Sequence, residues 1–110
     1  MAEQLKRLGA TQVVATTDTQ LYLGEAGKNV SISSILVVNR GDTARIFRIA
    51  HIDGAMASVA LEDYLAYDFE IAPRTAIPFT IGVCMNGAET ILVRADHADV
   101  HFIAWGSVNQ

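Results

Sequence analysis

One cysteine and two prolines are all that 110 residues hold of either. The lone Cys84 leaves no partner for an intrachain disulfide and no second thiol for a multi-cysteine zinc site. Set in a strand-like run, it is expected to pack as a small buried hydrophobe. Charge is scarce too. Only 18% of residues are charged, and eight Lys and Arg face twelve Asp and Glu, for a net charge of −4. Nucleic-acid affinity comes mostly from clustered Lys and Arg, so no nucleic-acid partner is expected. No uncharged apolar run reaches the roughly 18 residues of a membrane-spanning helix. The opening MAEQLKRLGATQ has no signal-peptide core either. A protein made in the cytoplasm, without a membrane partner, is the expectation.

Apolar residues, by contrast, make up 51% of the chain. That is far from the composition of disordered chains, and the length suits one domain. Residues 1–11 carry Glu3, Lys6 and Arg7, with only Leu5 and Leu8 as apolar anchors. They read as an N-terminal arm, mobile or docked on a neighbouring subunit, ahead of a domain spanning 12–110.

The domain is organised around residues 19–49. There Val30 and Ile32 alternate with Ser31 and Ser33, and Ile35-Leu36-Val37-Val38 is apolar on both faces. Such a strand is central in its sheet or meets a partner on its outer face. It turns at Asn39-Arg40-Gly41-Asp42, and Arg45-Ile46-Phe47-Arg48-Ile49 is expected to return as a hairpin partner. Short strands are predicted at 12–16 and 19–23, with a turn at 24–28 and a loop at 52–61. Residues 64–71 follow, with Leu65, Tyr67, Phe69 and Ile71 on one face.

Residues 75–83 give the cleanest alternation, with Ile77, Phe79, Ile81 and Val83 inward. Pro78 has no N–H to donate, which marks an edge strand or an interrupted ladder. Asn86-Gly87 predicts another hairpin. Ile91, Val93 and Ala95 share a face of the strand that follows. A turn at 96–99 leads to a last strand at 100–107, where His101, Ile103 and Trp105 share a face. About eight strands at this spacing, with no long helix, predict an all-β antiparallel sandwich, jelly-roll-like in kind.

No pattern spells out a reaction. Asp96-His97-Ala98-Asp99-Val100-His101 offers imidazole and carboxylate, both ligands of divalent ions. A spacing of four gathers ligands on a helix, however, and here a turn intervenes, so a polar turn is expected. His51 reads as an exposed strand-end residue. Ser33-Ser34 and Thr16-Thr17 lack a glycine elbow or a paired base. Asp63, Asp68 and Glu70 read as a solvated face, and Arg40-Gly41-Asp42 as turn chemistry with Gly41 free to take φ > 0. No catalytic residue, cofactor site or metal ligand is assigned. Trp105 is expected in the core before an interface. Two-faced strands and few charges predict surplus apolar surface, and with it a homo-oligomer or a docked subunit.

The segment SSILVVNRGDTARIFRIA (33–50), preceded by TDTQLYLGEAGKNV (17–30) and followed by DYLAYDFEIAPRTAIPFTIGV (63–83), resembles a group of small structural proteins of tailed bacteriophages. The Asn-Arg-Gly turn joined to Phe-Arg-Ile-Ala carries most of the likeness, and Glu25 departs from it where similar sequences often have proline. The resemblance implies a β-sandwich virion component without enzymatic activity. Within that group the first expectation is a capsid decoration (cement) protein, a dimer or trimer that bridges neighbouring major capsid protein subunits. A neck or fibre module is the alternative. A carbohydrate-binding sandwich using Tyr22, Tyr64 and Trp105 is a second one. Contacts are expected at Leu5 and Leu8 of the arm, at Ile35 and Val37 of the two-faced strand, and at Trp105.

Overall fold

A computed structural model describes residues 3–80 and 82–109, with the side chains of 3–5 and 109 left out of account. Nine strands follow in order: β1 (Glu3–Gln12), β2 (Thr19–Leu23), β3 (Asn29–Asn39), β4 (Arg45–Ile52), β5 (Tyr64–Ile71), β6 (Thr75–Phe79), β7 (Val83–Asn86), β8 (Thr90–Ala95) and β9 (Val100–Asn109). Two 3₁₀ turns, Met56–Ser58 and Leu61–Asp63, sit in the connection between β4 and β5.

The strands form two antiparallel sheets. One runs β1-β9-β3-β6, with β7 also paired to β3; the other runs β2-β8-β4-β5. The first strand therefore pairs with the last, β2 with β8, β3 with β6 and β7 together, and β4 with β5. Nested pairing of this kind, divided between two packed sheets, is the jelly roll. The expected all-β sandwich is what the chain forms, and eight strands become nine because one is cut in two. β6 ends at Phe79 and β7 begins at Val83, just after Gly82 with its left-handed φ of 62°. Ile81, read as inward-facing, lies outside the described residues. The cut is matched across the sheet by a bulge in β3 at Ser33, whose hydroxyl donates to the Trp105 carbonyl at 3.2 Å.

Two expected hairpins are absent. β3 and β4 lie in different sheets, as do β7 and β8, so both turns cross from one layer to the other. Turn chemistry is satisfied either way, because it fixes a reversal of direction and not the partner. At the first crossing, fully buried Asn39 holds the corner: its Nδ2 donates to the carbonyls of Thr43 (2.9 Å), Ala72 (3.2 Å) and Ile71 (3.3 Å). Its Oδ1 accepts from the Gly41 N–H at 3.0 Å. Gly41 is required here for room, not for a positive φ, since a Cβ would collide with the Asp99 carboxylate.

The expected N-terminal arm is also corrected. From Glu3 it is β1, in register with β9 from Glu3↔Asn109 to Gln12↔His101. Few apolar residues are needed there because the pairing is made by backbone groups on a single side. Leu8 packs against the core.

Inside, Phe47 is surrounded edge-to-face by the rings of Phe79, Phe69 and Phe102, at 5.7, 6.1 and 6.2 Å between centroids. β3 contributes Ile32, Ile35 and Val37, and β8 contributes Ile91, Val93 and Ala95. In β5 Ala66 faces inward before the left-handed Asp68 (φ 54°) and Phe69 and Ile71 after it, an odd spacing that the kink produces, with Ala66 and Ile71 fully buried. The single alternating face read for this strand is thereby broken. A smaller cluster, Ala50, Ile52 and Leu92, is covered on the outside of the four-stranded sheet by Met56, Val59 and Tyr64.

Candidate functional site

Because neighbours in register point to the same side, the outer face of the five-stranded sheet can be listed by rows. Arg7, Trp105 and Ser34 form one row; Ala10, Ile103, Leu36 and Pro78 the next; Gln12, His101, Val38 and Ala76 a third. The middle row is wholly apolar, and Trp105 beside it is 37% exposed. A shallow depression of about 370 Å³ opens at one end, floored by Ala10 and Ile103 and walled by Gln12, Arg40 and His101. Arg40 spans that wall, with Nε donating to His101 Nδ1 at 3.1 Å and Nη2 to the Ala98 carbonyl at 2.9 Å. Burial, with the Arg40 charge added, holds His101 below the usual imidazole range.

Sheet edges are the other place where a β protein meets partners, and here they are blunted. β1 breaks register between Arg7 and Gly9, and β2 between Gln20 and Tyr22. β5 is kinked by left-handed Asp68, β6 carries Pro78, and β7 is four residues long. The face, not an edge, is what the first sheet offers.

The outer face of the second sheet is different in kind. Arg48 and Arg94 are paired to Asp68 (2.6 Å) and Asp18 (3.1 Å). Arg48 also lies 4.1 Å from the Tyr67 ring centre, and Tyr67 meets Tyr64 edge-on at 5.0 Å. The hydrogen bond between Arg48 and Asp68 pushes the guanidinium up and the carboxyl down from their ordinary values. A cleft of about 170 Å³ beside them is lined by Thr16, Ile46 and Asp96 as well. The face is charged, and each of its two arginines is matched by an aspartate.

The residues expected to make contacts fare unequally. Ile35 and Val37 are fully buried core residues, so they are not available to a partner; the even-numbered Leu36 and Val38 carry the outer face instead. Leu8 is half-buried and packs inward, and the Leu5 side chain lies outside the described residues. Trp105 is on the surface, not in the core as expected. Cys84, expected buried, is exposed on the same outer face, in register with Ser31.

His97 is turned to Asp99 (3.3 Å) and His101 to Arg40, while Asp96 accepts from the Ile46 N–H. Among the described residues, no three of His, Cys, Asp and Glu gather as a metal site would require. His51 is half-buried and 2.6 Å from Glu89, not a free strand end. Asp68 is solvated as read and also ion-paired to Arg48, and Asp63 accepts from the Ala60 N–H. Tyr22 packs partly on the core, with its phenol pushed up by burial and then by Glu25. Tyr64 and Trp105 lie on opposite sheets, so these three aromatics form no common sugar platform. What sequence reasoning missed was that Leu36, not Ile35 or Val37, faces outward beside Pro78. Pro78 and Leu36 were visible as the wrong-parity neighbours of inward residues.

No protein-family model, curated protein or solved structure matches the chain.

Proposed function

We propose that this protein is a non-enzymatic structural component of a tailed-bacteriophage virion, a decoration (cement) protein on the outside of the head that bridges neighbouring major capsid protein subunits. The jelly-roll topology is shared by capsid proteins, lectins and cupins, so the surface has to decide. The observation that carries the reading is the apolar row Ala10, Ile103, Leu36 and Pro78, flanked by Trp105, on a sheet whose edges are blunted. A face of this kind fits a broad contact with a pre-formed surface. A cement protein acts by mass action: it binds the assembled lattice better than free subunits, and that difference opposes disassembly. A dimer or trimer would let one molecule reach several subunits.

Counting copies per particle by quantitative mass spectrometry tests this reading. A cement protein repeats with the icosahedral lattice and reaches hundreds, whereas a neck ring or fibre follows cyclic symmetry and stops near about a dozen. Hundreds of copies on the head, lost together with resistance of the shell to heat when the protein is omitted, is the expected result. A low count transfers the protein to the neck or fibre, and absence from particles ends the virion reading.

A further inference from the structure

Five of the six arginines divide into two populations by the company they keep, the sixth, Arg74, being in the exposed turn between β5 and β6. Arg45, Arg48 and Arg94 each face an aspartate within 4 Å, two of them across the outer face of the four-stranded sheet. Arg7 and Arg40, on the five-stranded side, have no carboxylate partner among the described residues; Arg40 is bonded only to an imidazole and a carbonyl. No described side chain in the three outer rows of that sheet is a carboxylate, although the chain as a whole is acidic at −4. The apolar row lies between these two cations, with the depression floored by Ala10 and Ile103 next to Arg40.

We propose that this face docks a partner protein surface that is apolar at its centre and carries carboxylates at its margin, with one apolar side chain seated between Ala10 and Ile103 and acidic groups opposite Arg7 and Arg40. A second copy of the chain presenting the same face is the poorer partner, because its described outer rows offer arginines and no carboxylate to meet them. Self-association is expected on another surface. The identity of the partner as the capsid shell rests on the function proposed above, while the choice of face and the charge of the partner do not.

The test is binding of the full chain to purified shells lacking it, at low and high salt, with sedimentation of the free protein alongside. Trp105→Ala is expected to weaken binding about ten-fold or more, as for a central aromatic contact. Arg7→Glu, a change on an exposed edge residue that leaves the fold alone, is expected to weaken it several-fold and to flatten its salt dependence. Tyr67→Ala on the opposite sheet should bind as wild type. If wild-type protein binds shells but Arg7→Glu, Arg40→Glu and Trp105→Ala bind equally well, the face assignment fails and the capsid reading stands. If wild-type protein ignores shells, the capsid reading fails and takes the partner's identity with it. If Leu36→Glu dissociates a homo-oligomer of the free chain, the face is a self-interface and the proposal is overturned.

Discussion

Arg48 and Arg94 stand directly opposite each other on β4 and β8, like charges in register, each held by an aspartate on the far side. Such a pair is unfavourable without those carboxylates. Asp68→Asn should therefore lower the melting temperature at neutral pH, and Asn tolerates the left-handed backbone of that position, so only the charge is changed. The Asp68 carboxyl titrates below its ordinary 3.8 when folded, so its contribution is complete above that value and is lost as pH falls through the lower, folded one. The gap between variant and wild type should narrow as pH falls below the ordinary 3.8 and shrink in high salt. A gap independent of both would refute the account.

Asn39→Ala removes one fully buried side chain and its hydrogen bonds to four backbone groups, of which the Ile71 carbonyl is buried and the other three partly so. A loss of at least about 2 kcal/mol is expected, since each buried group left without a partner carries its own desolvation cost. Urea denaturation with an unchanged m-value would show it. A loss below about 0.5 kcal/mol would mean that the corner is held by other contacts.

His101 should make stability fall in mild acid. Its folded pKa lies below the ordinary 6.5, so its neutral form is the one the fold favours. Stability from this group is complete above pH 6.5 and declines as pH drops toward the lower, folded value. His101→Gln keeps an acceptor for Arg40 Nε and should flatten the decline in the window just below pH 6.5. Denaturation midpoints of the two proteins across that window are the measurement; parallel curves would exclude His101 as the cause.

Two glycines separate crowding from backbone freedom. A Cβ on Gly106 would overlap the Ser31 carbonyl oxygen in the adjacent strand, so Gly106→Ala is expected to cost about 1–3 kcal/mol or more. Gly27 is left-handed (φ 82°) with open space around its Cβ position, and Gly27→Asn should cost less than about 1 kcal/mol. Equal costs would show that the bend at Ser33 relaxes to make room.

Alternation carried most of the strands. Val30 and Ile32 in β3 and Ile91, Val93 and Ala95 in β8 are buried as their period requires. The pairing of strands was less visible, because Asn-Gly and Asn-Arg-Gly reverse the chain equally well within a sheet or between sheets. β1 was taken for an arm since a strand paired on one side needs little apolar content, and the backbone bonds to β9 leave no mark on residue type. For the site, His101, Ile103 and Trp105 were placed on one face correctly, but Trp105 was turned inward on size alone. The Arg48–Asp68 and His51–Glu89 contacts span 20 and 38 residues and depend on a kinked strand and a layer crossing that no local spacing records.

The position of β9 between β1 and β3 has a consequence during translation. The middle of the larger layer is supplied by Val100–Asn109, so nascent chain that has not yet released those residues from the ribosome has nothing to join its first strand to its third. β1 must wait unpaired while β3 can already meet β6 and β4 can meet β5, and closure of the larger layer comes late through contacts distant in sequence, which is the regime of slow folding.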